Sequence, residues 1–296
     1  MDLSIVIVAF RGYKELHQTI EAIFKSQITY SFEVIVVDNG SGDGTADMVE
    51  RDFPQSRYPN LKLLRNINNG FAKGNNLGVK NSSGKYVLLL NPDTSVYVDA
   101  LQKCMDYITA HDDIGALGCK LIKGDGTLDL AARRSFPNPL NAFARFTGLQ
   151  KLFPKSKTFG SYNLTYISDT ETMDVDSLVG AFMLMPRDIF DKVGMLDEEY
   201  FMYGEDIDLC YKIKEAGYRV IYYPEAITYH FKGASSRKTP YKMLYRFHQS
   251  MWIFYRKHYR QKYPFLLNWL VYVGIWLRFS LKCVQNFFRK NKFVSK

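Results

Sequence analysis

The chain lacks any C-x-x-C pair. Its four cysteines, Cys104, Cys119, Cys210 and Cys283, stand widely apart, which excludes a disulfide framework or a structural zinc site and suits a reducing cytosol. It also lacks a basic leader: Met1-Asp2-Leu3-Ser4 runs into an apolar stretch of only about seven residues, a first strand and not a signal peptide. No glycine fingerprint of the G-x-G-x-x-G kind follows that strand, where Ala9-Phe10-Arg11-Gly12 stands instead, so a dinucleotide site is not expected there. Nor is there an apolar run of the ~20 residues that a bilayer span needs. Phe265–Leu277 reaches 13 uncharged residues before Arg278 and Lys282 interrupt it.

Acid is absent from the end of the chain. No Asp or Glu follows Glu225, while 15 Lys and Arg do; the first 225 residues hold 24 basic and 30 acidic residues. An acidic body with a basic tail expects an anionic partner for the tail, nucleic acid or a membrane surface. Thirteen apolar residues in a row are not explained by nucleic acid, so the membrane surface is preferred.

At 296 residues the chain can fill one large α/β domain or two smaller ones. Leu3–Phe10, Phe32–Val37, Leu61–Arg65 and Tyr86–Leu90 read as strands, buried and parallel, with helical spacing between the first two. Each strand ends in polar residues. Asp38 heads a glycine-rich turn, and its carboxylate can accept hydrogen bonds from a base or ribose; Ser41–Thr45 reads equally as a helix cap. The stretch Asn66–Gly78, with Asn69, Gly70 and Asn75, is crowded with amides and glycines, which suits a nucleotide sugar. Asn91-Pro92-Asp93 ends the fourth strand because Pro92 has no N–H to donate. The tripeptide reads as a turn, or as a carboxylate placed beyond a strand end to hold a hard cation and, through it, a diphosphate.

These motifs, Val36-Val37-Asp38-Asn39-Gly40-Ser41, Asn69-Gly70-Phe71-Ala72 with Gly74-Asn75-Asn76, and Leu90-Asn91-Pro92-Asp93, resemble those of the family 2 inverting glycosyltransferases, in the rhamnosyltransferase-like branch. Gly180-Ala181-Phe182, Val193–Glu198 and Phe201–Cys210 extend the resemblance to about residue 235. It implies a GT-A fold, α/β with a Rossmann-like, mostly parallel sheet flanked by helices. Residues 1–98 would form the nucleotide-sugar half and 99–238 the acceptor half, with 239–296 as a tail. It further implies a divalent metal, Mg2+ or Mn2+, on an Asp-x-Asp-type motif, with Asp93 as ligand and Asn91 standing where many members have the first Asp. Phe10, Asp38, Asn69, Gly70, Asn75 and Asn91 would line the donor site. The Gln-x-x-Arg-Trp motif of processive synthases is absent, so one sugar per encounter is expected.

In the second half, Asp99–Ile108 reads as a helix and Ile114–Ile122 as a strand. Ala131–Ile167 reads as a long mobile excursion of the acceptor half, with Arg133 and Arg134 on a solvated face in preference to contacting phosphate. Val175–Met185 reads as a buried strand containing Gly180, and Tyr218–Tyr223 as a last strand closed by Pro224. Glu205-Asp206-Ile207-Asp208 opens a helix. Acids suit a helix start, yet three in four residues exceed what a cap needs, and crowding raises the proton affinity of at least one. By resemblance Asp206 is the catalytic base, Glu205 stands beside it, and Asp208 orients or caps. His230, just past the sheet, is by itself an ordinary packed histidine; by resemblance it completes the metal site.

In the tail, residues 240–262 place Tyr241, Tyr245, His248, Trp252, Tyr255 and Tyr259 at helical steps among six cations. With Phe265–Leu277 they predict an amphipathic, membrane-associating helical region lying in the plane of the interface. The expected protein is a metal-dependent glycosyltransferase, peripheral at the cytoplasmic face of the membrane, with a nucleoside-diphosphate sugar as donor, a lipid-linked glycan as acceptor and no nucleic-acid partner. The rivals are a nucleotidyltransferase, for which Phe10-Arg11-Gly12 is a poor phosphate loop, and a membrane-docked binding protein without catalysis.

Overall fold

A computed structural model describes residues 1–231 and 240–289. The first half is βα-alternating: β1 (Leu3–Ala9), α1 (Tyr13–Phe24), β2 (Phe32–Asp38), α2 (Thr45–Asp52), β3 (Leu61–Arg65), α3 (Phe71–Lys80) and β4 (Tyr86–Leu90). These four strands lie parallel in the order β3-β2-β1-β4. β1 is buried along its whole length, as its β-branched run requires for a strand covered on both faces. Helix α3 lies directly on β1: a Cβ on Gly78 would come within 2.3 Å of Val6. Gly74 and Gly78 therefore serve helix–sheet packing.

The second half adds β5 (Thr94–Val96), α4 (Ala100–Thr109), β6 (Ile114–Lys123), α5 (Pro139–Thr147), α6 (Leu149–Leu152), β7 (Met173–Asp174), β8 (Phe182–Pro186), α7 (Asp188–Val193), α8 (Glu205–Glu215) and β9 (Arg219–His230). The sheet continues β4-β8-β6-β9-β5, with β7 also on β9. Among the described residues it is mixed, mostly but not purely parallel: β8 runs against both β4 and β6, and β5 and β7 run against β9. Apolar patterning reports burial, not direction. Direction is decided by the long 124–181 connection, which brings the chain back to the end of the sheet where β4 leaves it.

Two further expectations are corrected. Only Phe182–Pro186 of Val175–Met185 is strand, so Gly180 precedes it. Pro224 does not close the last strand, because a register shift opposite Cys119–Lys120 absorbs the proline and β9 runs on to His230.

The excursion is structured. Asn138 caps α5 reciprocally with Asn141, Pro139 occupies the first turn, and Gly148 at φ 82° turns the chain into α6. Helices α9 (Pro240–His258) and α10 (Phe265–Phe287) form an antiparallel hairpin through Tyr245–Trp276, Trp252–Tyr272 and Tyr255–Asn268. Ile253 and Phe254 of α9 pack with Tyr200, Ile207 and Tyr211 into a second apolar cluster. The expected boundary at 238/239, Lys232-Gly233 and residues 290–296 lie outside the described residues.

Candidate functional site

The turn after β4 is pinned from two sides. The Thr19 hydroxyl of α1 lies 2.8 Å from the Pro92 carbonyl and 2.6 Å from that of Thr94, and the Thr94 hydroxyl bonds the Asn91 carbonyl at 2.8 Å. Asn-Pro-Asp is thus both a turn and a fixed presentation of Asp93. Strand β5 pairs Thr94 with His230, and the Phe231 N–H bonds the Asp93 carbonyl at 2.8 Å. That pairing brings the two candidate metal ligands together across 137 residues of sequence: His230 Nε2 lies 3.4 Å from Asp93 Oδ1.

On the other side of the ring, His230 Nδ1 lies 3.0 Å from Asp129 Oδ2. Asp129 is buried and caps the 3-10 turn Leu130–Ala132 through Oδ1. A carboxylate on Nδ1 favours the proton there and leaves the Nε2 lone pair facing Asp93 and Asn91, whose Nδ2 is 3.4 Å away. Burial alone would lower the proton affinity of His230; Asp129 and Asp93 outweigh it, and the net direction is upward. Sequence reasoning missed Asp129, whose partner lies 101 residues away.

The donor-side candidates occupy the same sheet edge. Asp38 ends β2 opposite Ala9 of β1 and is buried, with Oδ2 on the Ser41 N–H at 3.4 Å and Oδ1 without a partner. Phe10 is half-buried under the Arg11 guanidinium, which lies 5.2 Å from its ring centroid. Gly70 (φ 119°) lets the second half approach: a Cβ there would meet the Phe201 carbonyl at 2.9 Å, and the Phe71 N–H bonds that carbonyl at 2.7 Å. Asn69 is exposed on a shallow cleft with Asn66, Lys73 and Glu198. Asn75 is buried, its amide on the Phe71 carbonyl of its own helix. The amide that links loops at this edge is Asn39, between Asn66 and the Gly70 carbonyl. A deeper cleft of about 420 Å³, lined by Lys85, Tyr86, His111, Pro186 and Lys192, sits at the far end of β4 from Asp93.

Helix α8 delivers the carboxylates. Tyr203 (φ 73°) and Gly204 (φ 85°), both left-handed, turn the chain sharply into Glu205. Asp206 Oδ2 accepts from Arg134 Nη2 at 2.8 Å and from the Gly180 N–H at 3.2 Å. Arg134 also donates to the Leu178 carbonyl. Both Arg133 and Arg134 are buried, so the solvated-face reading is overturned: Arg134 is the counter-ion of the candidate base. Asn91 N–H bonds the Ala181 carbonyl at 3.0 Å, which joins the Asp93 end of the site to the Gly180–Asp206 end.

Glu205 is the carboxyl that crowding affects. Burial first, then the neighbouring Asp206, push it up to about 8, and its Oε2 has no partner. Asp208 faces away from this pair. It accepts from the Tyr200 hydroxyl at 3.2 Å and lies 2.8 Å from His258 Nε2, tying α8 to the end of α9.

Comparison with known proteins bears on the family and the fold. The model of glycosyl transferase family 2 matches residues 4–194. An N-acetylglucosaminyl-diphospho-decaprenol L-rhamnosyltransferase of Mycobacterium tuberculosis is 28% identical over 260 residues, 84% of this chain and 82% of that protein. The rhamnosyltransferase WbbL of Escherichia coli is 29% identical over 61% of this chain and 67% of its own. Among solved structures, GalNAc-T7 with UDP, GalNAc and Mn2+ superposes with a TM-score of 0.59 at 18% identity, over 78% of this chain and 44% of that one. The mannosyltransferase PcManGT from Pyrobaculum calidifontis, with GDP-Man and Mn2+, gives 0.60 at 17% over 93% and 69%. These structures share the fold, the mixed α/β sheet of GT-A enzymes. On a match over more than half of its length, the chain belongs to glycosyl transferase family 2, as a glycosyltransferase of the rhamnosyltransferase-like branch.

Proposed function

We propose that the chain is a metal-dependent, inverting glycosyltransferase that moves one hexose, rhamnose being the sugar its relatives suggest, from a nucleoside-diphosphate donor to a lipid-linked glycan. The single observation that carries this reading is Asp206, oriented by Arg134 and the Gly180 N–H on the sheet edge that also presents Asn91, Asp93 and His230.

The donor set fits a divalent cation: a carboxylate oxygen and an imidazole nitrogen whose tautomer is set from behind by Asp129. Among the described residues no cluster of three or more His, Cys, Asp or Glu is placed to enclose an ion. A cation held by Asp93 and His230 would take its other ligands from phosphate oxygens and water, as Mg2+ characteristically does. Bound there, it would supply positive charge against the leaving diphosphate. Asp38 and Asn39 line the same edge for the nucleoside. Asp206 accepts the proton of the acceptor hydroxyl, whose oxygen bonds the anomeric carbon as the bond to diphosphate breaks. Inversion follows from this single in-line displacement.

The acceptor class rests on the decaprenol-linked substrate in the name of the mycobacterial relative, together with the surface of α10. Only Ile275 and Asn286 of its 23 residues are buried, and Phe265, Leu266, Trp269, Leu270 and Val273 face outward. No described helix is long and apolar enough to cross a membrane. We place the enzyme peripherally at the cytoplasmic face, with α10 in the interface.

The two ends of the site can be tested separately. Asp93→Ala should abolish the metal-dependent part of donor-diphosphate binding in calorimetry. Asp206→Asn should keep that binding and lose turnover by ~10²–10⁴-fold, the usual contribution of a general base. Unchanged metal-dependent affinity in the first variant, or wild-type turnover in the second, would remove the corresponding assignment.

A further inference from the structure

Residues 130–168 contain no Asp or Glu, but do contain Arg133, Arg134, Arg145, Lys151, Lys155 and Lys157. Residues 53–92 are also acid-free, yet there the fold supplies counter-ions from elsewhere, as when Arg65 pairs with Asp47 and Glu50. For α5–α6 it does the opposite and sets cation against cation. Arg145 of α5 and Lys151 of α6 stand close enough to Arg278 and Lys282 of α10 to act on them as like charges; after burial, these neighbours help lower the proton affinity of both. Among the described residues, Arg145, Lys151 and Arg278 make no ion pair.

Helices α5 and α6 also carry an apolar surface that the fold does not cover, on the flank of α5 away from Arg145, which lies over the Tyr162 ring. Leu140, Phe143 and Phe146 project from one flank of α5, while Asn141 and Ala144 are its buried residues. Leu152 at 70% exposure and Phe153 extend the surface through α6. The reciprocal Asn138–Asn141 cap, with bonds of 2.8 and 2.9 Å, presets this helix. Exposed apolar side chains on a short helix pair that carries cations and no acid are what an anionic phospholipid surface complements. A second copy of the chain, paired face to face across a two-fold axis, would set each cation cluster against its twin.

The geometry points to a second membrane-contact element: the α5–α6 pair docks on an anionic phospholipid surface together with the C-terminal half of α10. This rests on the reading of α10 as interfacial. It goes further by putting a lipid contact on the helix pair that follows Arg134, the counter-ion of Asp206, in the chain.

The test is cosedimentation of the full chain with vesicles of phosphatidylcholine, with and without phosphatidylglycerol. Phe143→Glu/Leu152→Glu should weaken binding to anionic vesicles by at least about tenfold, since each side chain is a lipid-buried anchor. Its melting temperature and metal-dependent donor binding should match wild type. Lys151→Ser/Lys155→Ser, at exposed sites, should lower the preference for anionic vesicles by about fivefold per lysine at low salt. If both pairs bind like wild type while Trp269→Glu/Leu270→Glu is released, α5–α6 is not a contact and α10 stands alone. If the α10 variant also binds like wild type, the interfacial reading falls and this inference with it. A wild-type dimer made monomeric by Phe143→Glu/Leu152→Glu, with vesicle binding unchanged, would assign the surface to a second copy and overturn the inference.

Discussion

Asp129 does for His230 what a backbone carbonyl does at many metal sites: it holds one ring nitrogen so that the other is free. Asp129→Asn keeps the size of the side chain but removes the charge that fixes the tautomer. It should weaken metal-dependent donor affinity by ~10–100-fold, read by calorimetry with Mn2+, and leave metal-independent nucleotide binding unchanged. Glu205 makes a different prediction. Its proton affinity is raised in the folded state, to about 8, above the ordinary 4.5. The unfolded chain therefore releases this proton first, and the group opposes folding increasingly as pH rises from about 4.5 to about 8. Glu205→Gln should remove that slope, gaining stability over wild type at pH 8 by a few kcal/mol at most and nothing at pH 4. Urea melts at the two pH values decide it; equal differences at both would mean that Glu205 ionises normally.

At the scale of the element, α8 shows why a local motif needed a distant partner. The spacing Glu205-Asp206-Ile207-Asp208 identifies a crowded acidic helix start. It does not say which carboxylate is held, which is protonated and which is turned away. Those roles come from Arg134 at a separation of 72 residues, from burial, and from His258 at a separation of 50. Arg134→Ala would leave Asp206 buried and unpaired, a defect that typically costs about 3–5 kcal/mol. The variant should unfold at much lower urea and lose turnover, whereas Arg133→Ala should unfold less easily than Arg134→Ala because Arg133 meets only carbonyls, Met173 and the Tyr222 ring. Equal stability of Arg134→Ala and wild type would show that Asp206 is not held by this pair.

For the molecule as a whole, the tail divides in two. The cations of α9 and of the turn after it that look interfacial in the sequence are largely engaged with protein: Arg256 with Glu199, Lys257 with Asp197 and Glu199, Lys262 with the Tyr211 hydroxyl, and Arg246 over the Phe201 ring. Helix α9 is therefore a wall behind α8. Trp276, within the run Phe265–Leu277 expected at the interface, packs with Tyr245 and Phe279 inside the hairpin. On the proposed interfacial reading, the outward face of α10 would carry the apolar term and Arg278, Lys282 and Arg289 the electrostatic one. Wild-type protein should cosediment with anionic vesicles more than with neutral ones and lose most of that difference in about 1 M salt, where the screening length falls to about 3 Å. Binding that ignores both lipid charge and salt would exclude the electrostatic term.

The chain alone determined what depends on neighbours in sequence. Strand runs ending in polar residues marked the βα half and its functional edge, and their motifs carried the family. Asp93, Glu205 and Asp206 stood out because each breaks a local pattern, His230 only through the family resemblance, and the aromatic steps and charge imbalance announced the terminal helices. Tertiary structure alone decided what depends on direction and distance. Burial patterns are the same for a strand run either way, so the antiparallel β8 and the mixed sheet were invisible. The capped α5–α6 pair was hidden among prolines that read as loop. Asp129 and Arg134 were hidden for a simpler reason: an acid beside a hairpin and an arginine in a basic stretch look like surface until a partner some hundred residues away folds onto them. Burial then makes their charges count, because in a dry site an unpaired charge is costly and a paired one is held in place.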